Sequence, residues 1–361
     1  MGQISASTVS LRIIIVVFLF QIYIFHLAGV FNLQEIIRPE KQVEDSLSEK
    51  SLPNFLLLSP VKCGALAVDH FLSYHPHLIS AHNKNIRYFD NVYDHGKEWY
   101  LNQLYNHFST KKQSSQRTNQ YEGQKQSNAH KNDDYYLFYE TSETYFNNIE
   151  TIRRVVETYS TSSSPSQSPE NSSPDLDLKI AVITCDPTSR AYKLYKSRKY
   201  SSNSDFTKFI DQNLPKIIES FESDGKSPYE FTSKTAMFEN FRKSLDESIS
   251  SPWATFLDGF VNPYFSWWEK ALGPEKVRIF NFDEFVYEPW FVLNEIERFL
   301  GLEEFFHESL FQNKVIDGQD YYFLEAGSDV AKIWGNLSQV HGMNEEERSR
   351  LDEFYLKFKL K

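Results

Sequence analysis

The stretch from Asn54 to Asp90 reads NFLLLSPVKCGALAVDHFLSYHPHLISAHNKNIRYFD. Four apolar residues, Phe55 to Leu58, lie between Pro53 and the Ser59-Pro60 pair, so they read as a short buried strand. A turn carrying Lys62 and Gly64 follows. The segment from Ala65 to Tyr74 reads as a helix, with Leu66, Val68, Phe71 and Leu72 on its apolar face. A strand, a tight turn with a lysine and then a helix is an anion-binding unit in α/β proteins. The first amides of the helix point at the anion, and the lysine adds a point charge. This turn has one glycine and lacks the spacing of a Walker loop. Taken alone, the segment is equally an ordinary strand–turn–helix with a surface lysine.

The same pattern recurs along the chain. Tyr135 to Tyr139 reads as a strand, followed by a helix from Ile149 to Tyr159. Lys179 to Thr184 (KIAVIT) is a second buried strand; it runs into Cys185-Asp186-Pro187 and a helix through Arg190 to Arg198. Helices are predicted over Phe206 to Glu222 and Tyr264 to Leu272, and a short strand over Lys276 to Phe280. A loop at Glu284 to Pro289 precedes an amphipathic helix from Val292 to Leu300, with Leu293, Ile296 and Leu300 on one face and Gly301 as its stop. Repeated strand–loop–helix units predict an α/β fold. Its parallel sheet is flanked by helices, and ligands sit at the C-terminal ends of the strands.

The 361 residues suffice for one large α/β domain or two small ones, and 30 Phe with 21 Tyr supply a substantial core. The net charge of −11 disfavours global attraction to nucleic acid or a polyanionic glycan, although a local basic cleft stays open. Two cysteines imply no disulfide framework.

At the N-terminus, residues 1–12 read as a short cytoplasmic tail. Ile13 to Phe31 is apolar enough for a bilayer span, which needs about 20 residues. It lacks a clear small-residue cleavage site, so a signal anchor is expected rather than a cleaved signal peptide. Asn32 to Leu52 reads as a polar stem, and the folded domain is expected over 53–361. Two polar low-complexity insertions interrupt it, Ser109 to Asp134 and Ser160 to Asp175. Asn171 and Asn336 begin glycosylation sequons.

From Pro53 to Leu302, outside the insertions, the chain resembles the Golgi sulfotransferases of heparan sulfate, the glucosaminyl 3-O-sulfotransferase and N-sulfotransferase group. Their first strand enters a loop like G-V-R-K-G-G-T-x-A-L, followed by L-S-x-H-P, K-E-x-H-(F/Y)-F-D and G-x-x-W-Y. Here those places hold SPVKCGALAV, LSYHP, KNIRYFD and GKEWY, and IERFLGL at Ile296 to Leu302 matches the family's I-E-x-F-L-G-L. The resemblance implies the sulfotransferase fold on a type II Golgi anchor, with the domain in the lumen. The implied donor is 3′-phosphoadenosine-5′-phosphosulfate, with no metal, and the implied acceptor is a glucosamine of heparan sulfate.

Residue by residue, the implied site is altered. Lys62 takes the place of the family's loop lysine, the cation for the leaving group. Cys63, Gly64 and Ala65 complete the implied phosphate loop, with Ala65 where the family has a threonine. The family's general base, a glutamate, falls on Asn85; an amide takes no proton at neutral pH, and such a loss costs a factor of about 10²–10⁴. Asp90 is retained, and Arg87 stands where the family has a histidine. In the second phosphate loop Asp186 and Arg190 match, Cys185 replaces an arginine, and Lys193 replaces a serine. Glu140 and Tyr145 match an E-K-x-x-x-Y segment that contacts substrate, with Thr141 for its lysine. Glu140, Asp90 and His82 are alternative bases. The two cysteines are expected as buried free thiols; the alternative implied by the resemblance is a Cys63–Cys185 bridge across the nucleotide site.

Three functions follow as expectations: an active glycan sulfotransferase, a catalytically inactive protein of that fold that binds a glycan or partner, and a membrane-tethered interaction protein working through its polar insertions.

Overall fold

The computed structural model describes residues 51–111, 136–160, 176–198, 205–223, 254–316, 318–324 and 342–358, all within the unit Lys50–Lys361. The expected tail, anchor and most of the stem lie outside the described residues. So do most of both insertions and the sequons at Asn171 and Asn336.

A five-stranded parallel sheet runs in the order β2-β3-β1-β4-β5. Its strands are β1 (Phe55–Leu58), β2 (Leu78–Ser80), β3 (Leu137–Ser142), β4 (Lys179–Thr184) and β5 (Val277–Asn281). All four residues of β1 are fully buried because the strand is central and covered on both faces. The helices are α1 (Ala65–Leu72), α2 (Lys97–Lys111), α3 (Ile149–Ser160), α4 (Pro187–Arg198), α5 (Phe206–Ser223), α6 (Ala254–Leu257), α7 (Val261–Leu272), α8 (Phe282–Tyr287), α9 (Pro289–Leu300) and α10 (Glu345–Lys357). A hairpin of β6 (Gln312–Ile316) and β7 (Gln319–Phe323) stands apart from the main sheet.

One face of the sheet, through Phe55, Leu57, Tyr139, Ala181 and Ile183, packs on Val68, Phe71 and Leu72 of α1 and on Phe285, Leu293 and Ile296 of α8 and α9. The Phe55 and Tyr139 rings stack at 4.6 Å across the β1–β3 pair. Beneath the LSYHP turn, His75 Nε2 lies 3.4 Å from Glu297 of α9, both 1% exposed. Glu297 accepts the amides of Phe305 and Phe306, and burial pushes its carboxyl up to about 7.

Several elements differ from the sequence reading. β3 starts at Leu137 and runs to Ser142, and α1 stops at Leu72. Leu66 is 40% exposed, because the buried arc of α1 runs through Ala65, Val68, Phe71 and Leu72. The segment expected as a loop at Glu284 to Pro289 is mostly helix: Asn281 caps α8 by accepting the Asp283 amide, and Pro289 then opens α9 at a position where its missing N–H costs nothing. The helices α2, α6 and α10, the strand β2 and the β6–β7 hairpin lie outside the elements that the sequence predicts.

Because the strands are parallel, all five end on one edge of the sheet, and the loops after β1, β2, β3, β4 and β5 meet there. β3 and β4 begin at the opposite edge.

Candidate functional site

The loop after β1 is built by backbone conformation. Lys62 and Gly64 both take left-handed values, φ 77° and 86°. Gly64 is required twice over. It caps α1 in that conformation, and a Cβ there would lie 2.2 Å from the Phe282 ring. The Cys63 amide donates to the Pro60 carbonyl and closes the turn at 3.1 Å. The amides of Gly64, Ala65 and Leu66, at the start of α1, donate to no described acceptor, as is usual for the first turn of a helix. Lys62 is exposed beside them. This half of the edge fits a phosphate or sulfate.

A carboxylate approaches the same loop from β3. Glu143 Oε1 accepts the Lys62 amide at 3.4 Å, and Asn85 Oδ1 accepts the Glu143 amide at 2.7 Å. Burial raises the Glu143 carboxyl above its ordinary value, opposed by the Lys62 amide and charge and by Asn85. Asn85, the position of the implied base, is itself left-handed at φ 52°, and its amide bonds the Thr141 carbonyl. Asn85 therefore positions Glu143. Glu143 carries no local signal, because its place depends on the pairing of β3 beside β1, which brings together residues 81 apart.

Behind this pair lies a buried network. Glu140 accepts hydrogen bonds from Tyr100 at 2.5 Å and Tyr145 at 3.0 Å. Burial raises its carboxyl to about 7, against the pull of the two hydroxyls. Glu140 and Tyr145, expected to touch substrate, are both fully buried and bond each other. Arg87, left-handed at φ 62°, forks onto Asp90 Oδ2 at 2.9 and 3.0 Å. His82 is exposed.

The second loop, after β4, fits a phosphate poorly. The Asp186 amide donates to Asp283 Oδ2 at 2.8 Å, and the Asp186 carboxylate accepts the Ser189 amide at 2.9 Å. Arg348 of α10 reaches Asp186 at 3.4 Å and Ser189 Oγ at 2.9 Å. The Arg190 guanidinium is 1% exposed; it donates to the Thr255 carbonyl at 3.0 Å and pairs with Asp258 at 3.4 Å. It is held inside the fold, away from any anion at the surface. Lys193 remains near the two aspartates; burial lowers its affinity for a proton, and Asp283 and Asp186 oppose that.

The two loops are covalently joined. Cys63 and Cys185 form a disulfide with Cα atoms 5.2 Å apart, which corrects the expectation of two free thiols. Parallel pairing of β1 with β4 brings both loops to one place, so the cysteines meet although 122 positions separate them. A cleft of about 720 Å³ opens beside Cys185, between the starts of α4 and α7 and one side of α10. Among the described residues, no group of three or more His, Cys, Asp or Glu is placed to hold a metal ion.

No family model matches the chain. Over 49 residues it is 39% identical to the membrane-associated sulfotransferase kil1 of Dictyostelium discoideum, a match covering 14% of this chain and 10% of that protein. Over 268 residues it is 22% identical to the bifunctional heparan sulfate N-deacetylase/N-sulfotransferase 1 of Caenorhabditis briggsae, covering 72% of this chain and 24% of the relative. The chain thus spans about a tenth and about a quarter of the curated relatives it matches. Among solved structures, a sulfotransferase from Alicyclobacillus acidocaldarius aligns at 16% identity and TM-score 0.46, over 85% of this chain and 92% of that one. Mouse sulfotransferase SULT7A1 complexed with PAP aligns at 9% identity and TM-score 0.38, over 89% and 90%.

Proposed function

We propose that this chain is a sulfotransferase-family protein that moves a sulfuryl group from 3′-phosphoadenosine-5′-phosphosulfate to a glucosamine of heparan sulfate or a related glycan. The observation that carries the reading is the loop after β1, where exposed Lys62 stands beside three undonated amides at the start of α1. Such a loop holds an anion and stabilises charge on a departing phosphate oxygen. The two curated relatives, both sulfotransferases by name, support it.

In this reading Glu143 is the base. Its carboxyl reaches the Lys62 amide, and burial raises it above its ordinary value. Asn85 holds its backbone. Glu143 would take the proton of the acceptor hydroxyl or amine, the role in which Asn85 cannot serve. Glu143→Gln is expected to lower turnover by a factor of about 10²–10⁴ with nucleotide affinity kept. Asn85→Asp is expected to leave the pH profile in place.

A second reading is favoured by the Arg190 guanidinium, which is buried on Thr255 and Asp258. The fold then persists as a glycan or partner binder without transfer. Calorimetric titration of the protein, oxidised and after treatment with a dithiol, with 3′-phosphoadenosine-5′-phosphate separates the two. Micromolar binding lost in Lys62→Ala supports the enzyme; heparin retention with no nucleotide binding at millimolar concentration supports the binder.

The reading also places the domain in the Golgi lumen behind a single span at Ile13 to Phe31. Glycosidase-sensitive mass at Asn171 or Asn336 in the protein from secretory membranes is the expected result, and unmodified sequons with the domain facing the cytosol would exclude it.

A further inference from the structure

The disulfide and the cleft together give the edge of the sheet a property that the transfer reaction does not need. Cys63 is 1% exposed, whereas Cys185 lines the wall of the cleft with Thr184, Asp186, Phe260, Asp352 and Tyr355. The bridge also lies between the two loops that a nucleotide with phosphates at both ends would have to span. We infer that Cys63–Cys185 is a redox-active site, opened by a dithiol that enters the cleft, and that opening it admits the nucleotide. The identity of the admitted anion rests on the sulfotransferase reading.

The two sulfurs are not equivalent. An incoming thiolate reaches Cys185 Sγ through the cleft, while Cys63 Sγ is enclosed. Cys63 is the better leaving group: it directly precedes Gly64, the cap of α1, and follows Lys62, so a thiolate there meets the first amides of the helix and a cation, with the Glu143 carboxylate held on the Lys62 amide. Around Cys185 the neighbouring charges are the carboxylates of Asp186 and Asp283, with Lys193 beside them. The step therefore runs in one direction. A thiolate of the dithiol attacks Cys185 Sγ and forms a mixed disulfide. The Cys63–Cys185 bond breaks, and Cys63 keeps the electron pair and takes a proton from solvent. The second thiol of the reductant attacks the mixed disulfide and frees Cys185. The reductant leaves as a cyclic disulfide, and two electrons have passed to the two cysteines.

In the closed state the fit to a nucleotide is half complete: the loop after β1 offers donors, and the loop after β4 is tied to it through Cys185. Release of Cys185 removes the covalent tie between the two loops, and the loop after β4 stays anchored by Asp283 and Arg348.

The test uses the full protein, oxidised or treated with a dithiol without denaturant. Mass spectrometry after alkylation follows the thiols, and calorimetry follows 3′-phosphoadenosine-5′-phosphate and, separately, inorganic pyrophosphate. The expected result is a mixed disulfide on Cys185 before any on Cys63, with at least a tenfold gain in nucleotide affinity on reduction. The Cys63→Ser/Cys185→Ser double variant is expected to bind without reductant. A bridge that resists the dithiol until the protein unfolds overturns the inference. Equal nucleotide affinity in both forms overturns it too and leaves the sulfotransferase reading standing. Pyrophosphate binding gained on reduction, with no nucleotide binding in either form, keeps the redox site and removes that reading. Failure of both anions in both forms overturns both.

Discussion

Gly64 shows how tightly single residues are fixed at this edge. An alanine there must hold φ near 86° and put its Cβ into the Phe282 ring. The left-handed conformation costs about 1–2 kcal/mol for a residue with a Cβ, and the overlap with a buried ring about 1–3 more. Gly64→Ala is thus expected to lower unfolding free energy by about 2–5 kcal/mol in urea titrations. Glu140 makes a different prediction. Its carboxyl is raised to about 7, so the folded protein keeps the proton that the unfolded chain releases above its ordinary value of 4.5. The stabilising contribution is full below pH 4.5 and is lost as pH rises towards 7, by about 3 kcal/mol. Glu140→Gln is expected to remove that share of the decline between pH 5 and pH 8; an unchanged slope would refute the assignment. At this scale, the sequence showed Lys62 and Gly64 plainly, since their neighbours in the chain define the turn. It did not show Glu143, nor that Arg190 faces inward, because those roles are set by partners 81 and 65 positions away.

Elements with strong local signals were legible. β1 and β4 were read at their true bounds, because each is a run of apolar residues between breakers. The start of α8 has a weak local signal: Pro289 marks a break, while the helix is set by Asn281, a capping residue that also ends a strand. β2 has only three residues, too short for a periodic pattern, and forms because β3 offers it an edge. α10 has a complete capping box, with Asn344 accepting the Glu347 amide at 2.8 Å and Glu347 accepting the Asn344 amide at 2.9 Å. Its sequence is polar and its apolar stripe narrow, which hid a helix that lines the cleft beside Cys185. Asn344→Ala is expected to cost about 1 kcal/mol, read as a lower urea midpoint, with a looser cleft wall.

On the scale of the whole molecule, the parallel α/β class was legible from alternating strand and helix signals, whereas the bridge required the register of β1 against β4. That bridge closes a long segment of chain, with 122 positions between its ends. Cross-links of such span restrict the unfolded chain and contribute about 2–5 kcal/mol. Reduction is expected to lower the urea midpoint accordingly while the far-ultraviolet circular dichroism of the native state is kept, because the sheet and its helices hold a core of their own. Loss of that spectrum on reduction would show instead that the fold depends on the cross-link.

The edge where β3 and β4 begin has a practical consequence. β3 and β4 begin on the side away from Lys62, Glu143 and the bridge, and each is preceded in the chain by a polar stretch. Replacing 112–135 or 161–175 with a short linker, a fluorophore or an epitope is therefore expected to leave the working edge alone. Nucleotide affinity in such a protein is expected to match that of the parent chain.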